Sequence, residues 1–384
     1  MSFPRFSPRG DLIAFIDHPL PTDDRGSIAV IDLSGKKRML SKEWETVEGL
    51  AWSPSGGEVW FTAATGPGRS LYGMTLSGRQ RVIARMAADL RLQDVTRSGR
   101  VLLTRDDQRL GIKCLAPGET KERELSWLEW SFLDDLSRDG KTIVLSEQGE
   151  AAGANYTVCL RKTDGSSVVR LGEGVPAGLS PDGKWIISRL PKPGAPIVLL
   201  PTGPGEPKEL SNSGFTGGAT WFPDGKRVLL VAREAGRGLT RLYVQSLDGG
   251  KPRPISPEGV AGRIVISPDG RLVAAVGPDR KIALYPVEGG EPRPVPGVAE
   301  GEVPLQWSAD GRSLYIGKGR EFFSAHVFRL DLETGKRVPW KELLPEDSAG
   351  VVAVINVRVT PDGRSYAYTY QRELSDLYVG EGLK

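Results

Sequence analysis

The sequence predicts an all-β chain folded as a β-propeller of four-stranded antiparallel blades. Three observations carry this prediction. A turn of Ser-Pro-Asp-Gly type recurs nine times, with its glycine at Gly10, Gly56, Gly99, Gly140, Gly183, Gly225, Gly270, Gly311 and Gly363. Successive gaps are 46, 43, 41, 43, 42, 45, 41 and 52 residues, and a period of about 40–45 residues built of short strands marks propeller blades. Between the turns, apolar residues return at alternate positions, and no segment sustains a 3.6-residue period for long.

Each repeat begins with a strand A that ends on a large apolar residue four positions before the glycine: Phe6, Trp52, Val95, Leu136, Leu179, Trp221, Ile266, Trp307 and Val359. Next comes Ser or Thr in eight of nine copies, Phe222 being the exception. Pro then presets φ, Asp accepts the following position, and Gly takes the left-handed site of a three-residue hairpin loop. Strand B follows with period two, as in Val228 and Leu230 or Tyr366 and Tyr368. A second set of tight turns, such as Leu33-Ser34-Gly35 and Glu333-Thr334-Gly335, joins strands C and D.

The ninth repeat lacks a strand D, because the chain ends at Lys384 just after a strand C read over Asp376 to Gly380. The whole chain, 1–384, reads as a single propeller; if Lys37 to Leu40 fills that gap, it has eight blades, the favoured count, and the residues before about 35 are surplus. Filling by Gln80 to Ile83 makes seven blades with two units left over, and nine equal units is a third arrangement. Forty-eight Gly and 29 Pro supply the turns, and 39% hydrophobic with 26% charged residues describes a globular chain.

Composition excludes more chemistry than it suggests. A net charge of +3, with no basic stripe interleaved with aromatics, gives no reason to expect nucleic acid. No run approaches a membrane span, and the first twenty residues carry Arg5, Arg9, Asp11 and Asp17 rather than a signal peptide. As written, the chain reads as soluble and cytoplasmic. Cys114 and Cys159 read as buried small hydrophobes. There is no G-x-S-x-G elbow, phosphate loop or zinc spacing, so no catalytic residue, cofactor or metal is assigned. The expected activity is non-enzymatic binding of a protein, peptide or glycan. The alternative is a hydrolase- or lyase-type propeller, or a peptidase's gating domain, using His18 or His326 with acidic neighbours.

Both sets of tight turns fall on one face, so the B–C and D–A loops gather on the other. These vary in length, as binding loops on a rigid scaffold do. They span Asp17 to Gly26, Ala64 to Ser70, Gln148 to Asn155, Arg233 to Gly238, Gly317 to Ala325 and Leu343 to Gly350. Candidate binding residues are Asp17, His18, Asp23, Asp24, Arg69, Arg233, Arg237, Arg320, Phe322, Phe323, His326 and Trp340. The cluster of Arg320, Phe322, Phe323 and His326 combines a cation with apolar area, as an interface hot spot does. The competing reading is that its aromatics cover a blade edge or plug the ring.

The Ser-Pro-Asp-Gly-Lys turn with apolar flanks resembles the TolB-type repeat, a relative of the WD repeat without its Trp-Asp and Gly-His signatures. The resemblance covers nearly the whole chain and implies the propeller fold. Four stretches are similar to the C-terminal propeller region of acidobacterial-type Ser/Thr protein kinases: Phe3 to Leu12, Leu50 to Thr62, Val101 to Asp106 and Ser365 to Leu383. That similarity implies a sensory propeller downstream of a kinase domain and a membrane helix, with further repeats upstream and an extracytoplasmic setting. No kinase motif stands in this chain, so no kinase residue is carried over.

Overall fold

The computed structural model describes residues 1–19, 24–64, 68–85, 89–149, 152–153, 155–192, 194–210, 215–234 and 238–383. Among them there is no α-helix, and the strands form eight antiparallel sheets, seven of them four-stranded. The chain divides into two compact units, 109–372 and 1–108 with 373–384.

The larger unit contains five sheets in simple A-B-C-D order. Their A strands are Ser131–Leu136, Val175–Leu179, Phe215–Trp221, Ala261–Ile266 and Glu302–Trp307. A sixth sheet takes strand A from Val351–Val359 and strand B from the start of Tyr366–Gly380. Its third strand is the end of Val101–Leu115, and its fourth is Arg123–Glu124. Strand Val351–Val359 touches both Ser131–Leu136 and Glu302–Trp307, so the sixth sheet joins the fifth to the first.

This closure corrects the expected one. Lys37–Met39 pairs Ser27–Asp32 within its own sheet, and Gln80–Ala84 pairs Ser70–Thr75. Neither fills the last repeat. Nor is there a separate strand C over Asp376 to Gly380, because Tyr366–Gly380 is one strand of 15 residues. The physical reason lies in two missing turns. The segment from Thr104 to Arg109 and the segment from Gln371 to Ser375 contain neither Gly nor Pro, so strand B runs straight on where a loop was expected.

Tyrosines close the seam of the sixth sheet. Tyr366 and Tyr368 donate their hydroxyls to the two oxygens of Glu122 (both 2.8 Å), and Tyr370 donates to Glu124 (3.0 Å). Gly111 lies beneath the Tyr370 ring, where an added Cβ would come within 2.4 Å of it. Burial and the Glu124 charge push the Tyr370 phenol up to about 12.

The apolar residue ending strand A links neighbouring sheets. Trp307 Nε1 donates to the Val265 carbonyl and Trp221 Nε1 to the Gly178 carbonyl, each at 3.2 Å. Trp307 is 1% exposed, so the indole contributes both packed area and a hydrogen bond of about 1 kcal/mol. Leu179 has no such donor. There the Asp135 carboxylate spans the gap, accepting the Leu179 N–H at 2.8 Å.

The smaller unit has two four-stranded sheets, beginning at Ser2–Phe6 and Thr46–Trp52, and the pair Asp89–Val95 with Val101–Asp106. Its core includes Ile16, Ile28, Val47 and Phe61. Trp44 packs edge-on to Phe61 (5.6 Å) and against Tyr72 (4.8 Å). In the larger unit, Cys114 and Cys159 are free and buried, and burial pushes both thiols up to about 12.

Candidate functional site

Two places in the larger unit present chemistry to a ligand. The first is a cavity of about 750 Å³ lined by residues of all six A strands. Small residues, among them Ala177, Gly178, Gly218 and Ala219, leave it open. Asp134, Asp135, Arg263 and Arg358 supply its charge. Backbone irregularities set these side chains. The strand register shifts between Leu133 and Asp135, between Ala261 and Val265, and between Ile355 and Arg358. Asn356, at φ +52°, forms the last of these and donates its side-chain amide to the Leu133 carbonyl at 3.0 Å. Bulges of this kind re-aim side chains.

Within the cavity the acids and bases have different duties. Asp135 accepts the Leu136 and Leu179 N–H groups (2.9 and 2.8 Å). Asp134 has one oxygen, Oδ2, enclosed and without a hydrogen-bond partner. Burial pushes its carboxyl up to about 7, against the pull of Ser146 and Arg358. Arg358 donates Nε to the Asp134 carbonyl (2.8 Å) and Nη1 to the Val357 carbonyl (3.4 Å). Arg263 Nη1 donates to that same Val357 carbonyl. Burial, then the charge of Arg358, opposes the charge on Arg263. Sequence reading missed this group. The available signal was the presence of Asp134, Asp135, Arg263 and Arg358 on A strands, close before the turn.

The second place lies in the Gly317 to Ala325 loop. Arg320–Phe322 forms an extra strand against Val351–Val359, pairing Arg320 with Ile355 and Phe322 with Ala353. The Phe323 N–H continues the ladder to the Val352 carbonyl (3.2 Å), which holds Phe323 at φ +67°. Phe322 and Phe323 are 71% and 69% exposed. Arg320 lies over the Phe322 ring at 5.8 Å and donates to Gln371 Oε1 (2.9 Å). His326 stands between Glu321 (Nδ1, 3.3 Å) and Glu342 (Nε2, 3.7 Å). Ser324 Oγ donates to Glu342 (2.7 Å) and not to the imidazole. Trp340 belongs to the packing instead, edge-on to Tyr315 (5.2 Å) and Tyr366 (5.8 Å).

The remaining predicted residues do not gather into a site. Asp17 pairs with Lys37 at 2.6 Å. His18 contacts Ser2 Oγ through Nε2 (2.7 Å) and the Arg25 carbonyl through Nδ1 (2.8 Å). Asp24 is exposed, and its carbonyl accepts the Val47 N–H at 2.9 Å. Arg69 is 8% exposed and tied to Glu48 (3.0 Å) and to the Leu90 carbonyl (3.2 Å). Its role is internal to the smaller unit. Arg233 is exposed at the end of its strand, paired with Thr216. Asp23 and Arg237 lie outside the described residues. Among the described residues, no three of His, Cys, Asp and Glu are placed to hold a metal ion, and no helix is long and apolar enough to cross a membrane.

No protein-family model matches the chain, and no curated protein matches it. Solved structures do. A TolB protein of Agrobacterium tumefaciens aligns at 20% identity with a TM-score of 0.52, covering 69% of this chain and 98% of that one. A puromycin-hydrolysing peptidase of Mycobacterium tuberculosis aligns at 17% identity and TM-score 0.45, covering 78% and 54%. An oligogalacturonate lyase of Vibrio parahaemolyticus aligns at 16% and 0.44, covering 67% and 77%. Likeness at such identity is one of fold. The chain is an all-β protein of antiparallel sheets, with TolB-type propellers among its structural neighbours.

Proposed function

We propose that the chain is a non-enzymatic binding module that takes a protein or peptide on the surface around Phe322 and Phe323. One observation carries this reading: two adjacent phenylalanines stand about 70% exposed on backbone fixed by strand pairing. Rigid apolar anchors lose little entropy on binding, and Arg320 beside them adds a cation. The kinase-linked, sensory setting rests on the four sequence stretches alone and belongs to this proposal. A glycan is the alternative ligand, since exposed aromatic rings also stack on sugars.

The test is a peptide array and a glycan array probed with the full chain and with the F322A/F323A double variant. The expected result is a consensus peptide set that binds the wild type and weakens at least about tenfold in the variant. Equal binding by both proteins would overturn the reading.

A second reading, a propeller hydrolase, is favoured by His326 between two carboxylates. It would use the imidazole as a general base held by Glu321. The nearest hydroxyl, Ser324, is engaged by Glu342, so the attacking group would have to be water. Loss of a measured hydrolysis in H326A, with peptide binding retained, would favour this second reading over the first.

A further inference from the structure

We propose that the cavity between the six A strands of the larger unit is an oxyanion-binding site, in which Arg263 and Arg358 grip a carboxylate or phosphate group. This inference is independent of the reading for Phe322 and Phe323, because it uses different residues and a different ligand chemistry.

The argument starts from what the two guanidinium groups lack. They come from strands of two different sheets, Ala261–Ile266 and Val351–Val359, yet both donate Nη1 to one acceptor, the Val357 carbonyl. Two like charges brought to a single neutral oxygen repel each other. A structural arginine in such a place would be met by a carboxylate. Here the Asp135 charge acts on both groups and the Asp134 charge on Arg358, yet among the described residues no carboxylate oxygen accepts a hydrogen bond from either.

The two acids of the cavity supply charge at a distance and leave the guanidinium N–H groups unmet. Asp135 has both oxygens committed to main-chain N–H groups. Asp134 offers Arg358 only its main-chain carbonyl, and its free oxygen is closed off. Of the ten N–H donors on two guanidinium groups, three meet main-chain carbonyls. The others have no protein acceptor among the described residues.

Both arginines line an open volume of about 750 Å³, and each is only half-buried. A planar or tetrahedral oxyanion placed between them accepts several charge-assisted hydrogen bonds and relieves the repulsion. Main-chain carbonyls already fix the direction of the forks, so little side-chain freedom remains to be lost on binding. A free small acid and the acidic terminus of a polypeptide share this chemistry.

The test is calorimetric titration of the full chain, at constant ionic strength, with inorganic phosphate, citrate and a short peptide ending in a free carboxylate or in its amide. The expected result is saturable binding of at least one probe, weakened about tenfold or more in R263Q and partly restored in R263K. R271Q, at an arginine with an 84% exposed side chain, leaves it unchanged. Selective binding of the free-carboxylate peptide identifies a polypeptide terminus as the source, and binding of phosphate or citrate identifies a free anion. If no probe binds to 10 mM, a ceiling of roughly −3 kcal/mol on affinity, or if R263Q and wild type bind alike, the proposal falls. Should R263Q fail to fold, R263K alone decides, because an ammonium cannot reproduce the guanidinium fork.

Discussion

Asp182 shows how a single residue organises the recurring turn. Its carboxylate accepts the Ser180 hydroxyl (2.6 Å) and the Lys184 N–H (3.1 Å), while Ser180 Oγ accepts the Trp185 N–H (2.9 Å). The same circuit recurs at Ser137 and Asp139, Ser267 and Asp269, Ser308 and Asp310, and Thr360 and Asp362. Where Phe222 replaces the hydroxyl, Arg227 takes over, pairing with Asp224 (2.7 Å) and covering the Phe222 ring at 4.5 Å. These hydrogen bonds, from the hydroxyl first, hold the carboxyls of Asp139, Asp182, Asp269, Asp310 and Asp362 below the ordinary 3.8. Their contribution is therefore present above pH 3.8 and is lost as pH falls through the lowered values. Asp134 works in the opposite sense. With its carboxyl raised to about 7, the folded chain binds the proton first, so stability rises as pH falls from about 7 towards 3.8. Melting temperature measured from pH 8 to 3 should thus pass through a maximum in weak acid. D134N should flatten the limb above pH 4 and leave the acid limb in place. The turn circuit was legible in the sequence, since Ser, Pro, Asp and Gly each have a stereochemical duty there. The environment of Asp134 was not, because it depends on Arg358, 224 residues along the chain.

Among the elements, the two 15-residue strands decide the architecture. A repeat without a Gly or Pro at its B–C junction cannot turn back, so Val101–Leu115 serves three partners and Tyr366–Gly380 two. The tyrosines on the second were legible as a strand B with alternating aromatics. Their acceptor Glu122 was not, because it lies 244 residues from Tyr366 and no local pattern pairs the two. E122A leaves two buried phenol hydroxyls without an acceptor. At about 1–3 kcal/mol for each unsatisfied group, with partial relaxation, a loss of about 2–4 kcal/mol in urea denaturation is expected. Hydrogen exchange of Val351–Val359 should accelerate more than that of the Ser131–Leu136 sheet. E122Q, which keeps one acceptor oxygen, should lose less. Equal stability of all three proteins would mean that the seam is held by backbone pairing and Gly111 packing alone.

For the whole molecule, the nine-fold repeat made the propeller class legible but not the way its units are shared out. The count of repeats cannot reveal which strand completes the last sheet. The larger unit, 109–372, is one continuous stretch that contains its own closing strands. Expressed alone, it should unfold in a single cooperative transition, with Tyr366 and Tyr368 protected from exchange. A fragment that stays expanded would mean that the remaining 120 residues are needed for its closure.

The seam at Glu122 and the tyrosines also sets a clock. Synthesis proceeds from the N-terminus, so Cys114 and Arg123–Glu124 emerge long before the strand that will flank them. At ~5–20 residues per second, that interval is about 10–50 s. Throughout it the sheet edge beginning at Arg109 is unpaired, and five sheets fold onto one another with nothing yet to shut them. An open strand edge is a template for a wrong partner. The nascent chain is thus most exposed to misassembly before Tyr366–Gly380 has emerged, and that tyrosine-bearing strand ends the risk when it arrives.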